Sequence, residues 1–218
     1  MADGGLPPFA TAKSGGGGGS SALTYVRELG VLVVVAIVVA FVMKATVAQA
    51  FYIPSPSMVP QLEVHDRIVV SKLAYRLHDP RRGDIVVFDC PPDAPACKQP
   101  THRFLPIRLI RDVGEAVGMV QPDRDEYIKR VIGLPGETVE GHDGQVFVNG
   151  RALIEPYLPE GITTDDFPPQ TVPPGTLWVM GDNRGDSEDS RAFGPIEKKK
   201  VVGRTVFRIW PLTRMSFL

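Results

Sequence analysis

Cysteine is almost missing from this chain: only Cys90 and Cys97 occur among 218 residues. Two are too few for a disulfide scaffold, and they lack the four-ligand spacing of a structural zinc site. Neither sign of charge dominates, with 24 Lys plus Arg against 25 Asp plus Glu, so no basic field marks a nucleic-acid binder. The four histidines, His65, His78, His102 and His142, form no H-E-x-x-H or other paired-ligand spacing, which leaves metal-assisted hydrolysis without support. No G-x-S-x-G elbow, Walker A loop or dinucleotide loop is present either. Aromatics reach only 8%, yet 43% of the residues are hydrophobic, enough to fill a core and to exclude wholesale disorder. Glycine and proline are abundant, at 22 and 21 residues. Together they make up about a fifth of the chain against about an eighth in ordinary proteins, which argues against a mainly helical fold.

The composition shifts sharply along the chain. Residues 1–22 contain the run Ser14-Gly15-Gly16-Gly17-Gly18-Gly19-Ser20-Ser21, which has no apolar face to bury and reads as a flexible tail. From Gly30 to Met43 there is no charge and no polar side chain, and a mainly apolar stretch continues past Lys44, Thr46 and Gln49 to Ile53. As one helix this run of 24 residues would measure about 36 Å, more than a hydrocarbon core of about 30 Å requires. Residues 23–50 therefore read as a single transmembrane anchor, with Lys44 snorkelling to the headgroups. A cleaved signal sequence is the alternative, because Ala48-Gln49-Ala50 has the A-x-A form of a cleavage site. The flanking charges do not decide which side of the membrane the body occupies. Cys90 and Cys97 bracket a proline-stiffened loop that a disulfide could close in an oxidising compartment; two free thiols are the other reading. No second span appears, since the C-terminal segment carries Arg204, Arg208 and Arg214, each costly in lipid.

Residues 51–218 read as a β-rich body. Short β-prone runs lie at Asp66 to Leu73, Asp84 to Phe88, Tyr127 to Ile132, Thr138 to Glu140, Gln145 to Val148, Leu177 to Met180 and Val201 to Trp210. Turn dipeptides separate them, among them Asp143-Gly144 and Asn149-Gly150. Without amphipathic helices between the runs, the expectation is a mainly antiparallel β fold. Residues 89–124 and 154–174 are rich in Pro and Asp with little periodicity and read as long loops or an irregular insertion.

The chemistry on offer is a hydroxyl and an amine. Ser57 stands in Ile53-Pro54-Ser55-Pro56-Ser57-Met58-Val59-Pro60, where prolines restrict the backbone and fix a serine just beyond the apolar run. A proline-rich linker with incidental serines is the plainer reading. In Tyr127-Ile128-Lys129-Arg130-Val131-Ile132, strand alternation puts Lys129 on one face with Tyr127 and Val131, and Arg130 on the other with Ile128 and Ile132. A lysine among apolar neighbours loses hydration, its pKa falls toward neutrality, and a neutral amine can accept a proton from a serine. Arginine stays charged, so Lys129 and not Arg130 is the candidate base. A snorkelling edge lysine is the commoner fate of such a residue. The third cluster, Gly181-Asp182-Asn183-Arg184-Gly185-Asp186-Ser187-Glu188-Asp189-Ser190-Arg191, is dense in polar, turn-forming residues. It is either an ordered polar loop, with Asp189 and Arg191 as an ion pair and Ser187 orienting the base, or a solvated surface loop.

Taken in order, the apolar run, IPSPSM, DRIVVSKL, RGDIVVF, YIKRVIGLPGE and GDNRGDSEDSRAFG resemble the bacterial type I signal peptidases, over residues 30 to about 210. One departure is Pro56 between the two serines, where the family usually has Gly or Glu. The resemblance implies an antiparallel β catalytic domain of the kind shared with LexA-like proteins, behind one N-terminal transmembrane helix. It implies that Ser57 is the nucleophile and Lys129 the general base. Ser55 would line the oxyanion hole with the Ser57 backbone N–H, and Ser187 would hydrogen-bond the lysine. Arg130, Asp189 and Arg191 would be the ion-pair set that holds the loop. Phe51, Ile53, Pro54, Met58, Tyr127 and Ile128 would build an apolar substrate groove. The implied reaction is cleavage of signal peptides from translocated preproteins after an Ala-x-Ala-type site, with no metal and no cofactor. The implied partners are preproteins, the lipid bilayer and the secretion translocon, and no nucleic acid. The implied location is the plasma membrane, single-pass, with a cytoplasmic N-terminus and an extracytoplasmic catalytic domain. A LexA-like self-cleaving repressor is disfavoured because it carries a helix-turn-helix where this chain has an apolar run. A membrane-anchored binding or chaperone-like protein without catalysis is the alternative from another class.

Overall fold

The structure, a computed structural model, describes residues 18–91, 94 and 126–218. Cys97, His102 and most of the 89–124 stretch lie outside the described residues, as does most of the N-terminal tail. The described chain parts into two compact units between Ala40 and Phe41.

Helix α1 spans Gly18–Thr46. Its side chains are described over residues 24–39, and there Val31, Leu32, Val33, Val34 and Val35 are each half or more exposed. Among the described residues no helix is long and apolar enough to cross a membrane. The helix also stops earlier than the apolar run suggests. After Thr46 and a turn at Val47, strand β1, Ala48–Tyr52, pairs antiparallel with β2, Arg67–Ser71. The A-x-A tripeptide thus belongs to the sheet. A run of apolar residues has no period of its own, so where helix gives way to strand is decided by the partner strand that takes up the backbone N–H and C=O groups.

The expected antiparallel body is present. The larger sheet runs β1, β2, β11 (Val201–Trp210), β3 (Ile85–Asp89), β4 (Glu126–Gly133), β9 (Thr176–Met180), β10 (Ile196–Glu197), and the short β12 (Ser216–Phe217) pairs β11. The smaller sheet runs β7 (Arg151–Ala152), β6 (Gln145–Val148), β5 (Thr138–His142), β8 (Phe167–Thr171). Its hairpins turn at Asp143-Gly144 and Asn149-Gly150, where all four residues have positive φ, the backbone that a two-residue type I′ hairpin demands. Strand β8 lies inside the stretch read as loop. Its sequence, Phe167-Pro168-Pro169-Gln170-Thr171, has two prolines, which suit an edge position bonded on one side only.

Strand β3 is buried on both faces and divides the core. Ile85 and Val87 join Ile53, Met58, Leu62, Ile68, Val70 and Ile128 on one side. Val86 and Phe88 join Val131, Leu177, Val179 and Ile196 on the other. A third cluster, with Ile132, Val139, Val146, Val172, Trp178 and Met180, packs the far ends of β4 and β9 on the smaller sheet.

Candidate active site

Strand β4 is central, between β3 and β9, and not an edge. Lys129 pairs with Val86 of β3 and is 2% exposed, with Val86 itself fully buried. The lysine therefore cannot snorkel to water. Among the described residues no carboxylate lies within ion-pair distance of its amine. The Tyr127 ring centroid is 5.3 Å from Lys129 Nζ. Burial pushes the amine down to about 8 from its ordinary 10.5, against an upward pull from Asp189, Glu188 and Asp182 and with help from Arg191.

Ser57 reaches this amine from a single 3₁₀ turn, Pro56–Met58. Pro56 opens the turn with its φ already suitable. Met58 and Leu62, both fully buried, clamp the turn to the core, and Leu62 N donates to Met58 O at 2.8 Å. Truncating either side chain to Ala should cost about 2–5 kcal/mol and loosen the turn. Lys129 Nζ is 2.7 Å from Ser57 Oγ, and the hydroxyl is buried with its residue only 6% exposed. Ser55 Oγ donates to Ser57 Oγ at a long 3.3 Å. Among the described residues no histidine bonds either partner of this pair, and no group of His, Cys, Asp and Glu is arranged to hold a metal.

The polar loop after β9 is ordered. Asp189, fully buried, caps helix α2 (Ser190–Phe193) and accepts from Arg191 Nε at 2.8 Å and Nη2 at 2.9 Å. Burial disfavours the Arg191 charge, but the bonds and charge of Asp189 outweigh it and raise the pKa. Asp189 also accepts from Gly181 N at 3.0 Å. Asn183 N donates to Ser57 O at 3.1 Å, which ties the loop to the serine turn. A Cβ on Gly181 would come within 2.1 Å of Ser187 Oγ and 2.5 Å of Ser57 O, so only glycine fits between the two serines.

Three expectations change. Arg130 does not join Asp189 and Arg191; it pairs with Asp182, through Nε at 2.8 Å and Nη2 at 2.6 Å. The register explains this: Arg130 lies opposite Met180, two residues before Asp182, on the face of β4 that Lys129 does not share. Ser187 comes close to the site, but its buried hydroxyl makes no hydrogen bond. Of the groove residues, Ile53 and Met58 are 1% and 0% exposed and belong to the core, with Ile128 beside them. They present no open surface; Phe51 and Tyr127 are half-buried and Pro54 is exposed. A cavity of about 320 Å³ lies to the side, lined by Asp165, Asp166, Phe167, Arg184, Ser187 and Arg191 among others, and contains none of the groove residues.

Asp182, Asn183 and Arg184 are marked in the sequence only as members of a polar, turn-forming motif. Glu155, Tyr157 and Thr164 carry no local signal, since each stands in the irregular 154–174 stretch with no periodicity to mark it. Cys90 is disulfide-bonded, and Cys97 lies outside the described residues.

A buried serine hydroxyl against a lysine whose charge is disfavoured is the arrangement of a serine hydrolase that works without histidine. The signal peptidase, peptidase S26, family model matches residues 26–210, and the chain belongs to that family. It is 38% identical over 213 residues to the signal peptidase I of Leptolyngbya laminosa, covering 97% of this chain and 91% of that one. It is 39% identical over 216 residues to the signal peptidase I of Mycobacterium tuberculosis (strain ATCC 25618 / H37Rv), covering 86% and 74%. Among solved structures it is similar, at a TM-score of 0.39 and 30% identity, to a signal peptidase I from Enterococcus faecalis V583, covering 58% of this chain and 97% of that one.

Proposed function

We propose that this chain is a serine endopeptidase that cleaves signal peptides from preproteins, with Ser57 as nucleophile and Lys129 as general base. The observation that carries the reading is the 2.7 Å approach of the Lys129 amine to the Ser57 hydroxyl inside an apolar body. The neutral amine takes the hydroxyl proton as Ser57 Oγ adds to the scissile carbonyl, and returns it to the leaving amine as the acyl-enzyme forms. The same amine then activates the water that releases the acyl group. Ser55 Oγ and the Ser57 N–H are the proposed donors to the oxyanion, and such donors are typically worth about 3–4 kcal/mol each. Ser187, whose buried hydroxyl has no hydrogen-bond partner, is the proposed group that orients the lysine. Phe51, Pro54 and Tyr127 offer the contact surface for an extended signal-peptide segment, with Ile53, Met58 and Ile128 as the floor behind them. Small residues at the first and third positions before the cut are the proposed requirement, because larger ones would clash with the Phe51, Pro54 and Tyr127 surface.

The apolar run within α1 is the proposed membrane anchor, entered from the cytoplasmic side, with the β body outside the plasma membrane. Valines exposed all round the helix support this, as does the disulfide at Cys90, a bond suited to an oxidising compartment. Tethering would raise the effective concentration of enzyme and signal peptide at the same surface, where the translocon delivers the substrate.

The test is cleavage of a synthetic Ala-x-Ala peptide by the wild-type protein and by Lys129→Ala side by side. The wild type cuts after the second Ala and the variant does not. Equal rates of cutting would remove Lys129 from the chemistry, and no cutting by the wild type would return the chain to a non-catalytic binding role. Protection of the β body from external protease in sealed, right-side-out membranes would overturn the orientation.

A further inference from the structure

The segment between β7 and β8 sends three polar side chains toward the loop that follows β9. Arg184, 2% exposed, donates through Nη1 to Glu155 Oε2 at 2.9 Å and to Thr164 Oγ1 at 2.7 Å. Its Nη2 donates to Glu155 Oε1. Tyr157 OH donates to the same Oε1 at 2.5 Å, and the Tyr157 ring centroid is 3.8 Å from the Arg130 guanidinium carbon. The consequence lies at the third nitrogen of Arg184: Nε donates to Gly181 O at 3.0 Å. Gly181 is thus held at both ends, its carbonyl by Arg184 and its amide by Asp189. It sits where a Cβ would be 2.5 Å from Ser57 O, and Asn183 N donates to that same oxygen. A guanidinium buried this deeply keeps its place only while a carboxylate holds it.

We propose that Glu155 is a positioning residue for the peptidase reaction. By gripping the Arg184 fork it sets the Gly181 to Asn183 backbone against the Ser57 turn, so the segment after β7 governs the alignment of the nucleophile. The inference rests on the peptidase reading above but concerns a residue remote from the reacting atoms. An oxyanion or an attacking hydroxyl displaced by about 1 Å can lose about 100-fold in rate without any change in what the substrate contacts.

Glu155→Gln keeps the shape and one acceptor while removing the charge. In the full-length protein, with the Ala-x-Ala peptide, its kcat should fall by about 10- to 100-fold while KM stays within about twofold. Hydrogen exchange at the Asn183 amide should quicken in the same variant without substrate. A kcat equal to wild type well below the melting transition, with only the Tm lowered, would make Glu155 a purely structural residue and overturn the proposal. If Glu155→Gln does not fold, Tyr157→Phe decides, since it keeps the ring on Arg130 and removes only the bond to Glu155. There a kcat loss of about 2- to 5-fold with faster Asn183 exchange supports the proposal, and wild-type values for both overturn it. Ser57→Ala separates the two readings: cleavage surviving in that variant would sink the peptidase assignment, while the Asn183 exchange result would still judge Glu155.

Discussion

Lys129 and Arg130 are consecutive on β4, point to opposite faces and are both buried, yet the protein treats the two charges in opposite ways. Arg130 receives the bidentate carboxylate of Asp182 and a carbonyl, Gly83 O, at 2.8 Å. Lys129 receives a hydroxyl. The difference follows from acid–base chemistry. A guanidinium cannot shed its proton at any accessible pH, so it can be buried only beside an anion. An ammonium can, and burial without a partner lowers its pKa until the neutral amine is within reach. One face of the strand therefore stores a structural charge and the other a proton acceptor.

The sharpest way to break this contrast is to exchange the two chemistries. Ser57→Ala and Lys129→Ala should each lower kcat/KM on an Ala-x-Ala peptide by roughly a thousandfold or more, and Lys129→Arg should be as inactive, because the replacement cannot deprotonate. Activity in the arginine variant would refute the proton-acceptor role. In the wild type the acid limb of kcat/KM should fall near pH 8, where burial has moved the amine. Stability carries the same sign: the folded state binds the Lys129 proton less tightly than the unfolded chain. Folding should gain stability as pH rises from about 8 toward the free lysine value. Lys129→Met should flatten that part of the pH–stability curve, as followed by urea unfolding.

On the other face, Asp182→Ala leaves Arg130 buried without its anion and should destabilise the protein by about 3–5 kcal/mol, read as a lower midpoint in urea. An unchanged midpoint would mean that solvent reaches Arg130. Gly181→Ala, which forces a methyl against Ser187 and the Ser57 carbonyl, should reduce kcat by about 100-fold with the sheets intact by circular dichroism. The smallest effect concerns Glu188, whose charge helps hold the Lys129 proton. Glu188→Gln should move the acid limb to lower pH, and a limb displaced to higher pH would show that the carboxylate acts otherwise.

Much of this was legible beforehand, for identifiable reasons. Gln145 to Val148 and Val201 to Trp210 are strands with the anticipated bounds, because alternation flanked by Asp-Gly, Asn-Gly or charged turns is a local signal. The opposite orientations of Lys129 and Arg130 followed from the two-residue period of a strand. Strand β1 was hidden because an apolar run suits helix and strand alike until β2 offers it a ladder. Strand β8 was hidden by its prolines. The partner of Arg130 is not legible in the sequence because Asp182 and Asp189 sit in one motif; only the β4 to β9 register separates them.

By itself, the order of residues determined which groups exist, their alternation along each strand, the turns and the choice of an amine that can lose its proton over one that cannot. Those properties depend on neighbours a few bonds apart. The tertiary structure decided what depends on distant segments meeting: that Ser57 and Lys129, 72 residues apart, stand 2.7 Å from each other, and that Asp182 and not Asp189 answers Arg130. It also decided that Glu155 grips Arg184 from a segment with no pattern of its own. Burial and pairing across a sheet are properties of packed surfaces, and no stretch of chain carries them until its partners are in place.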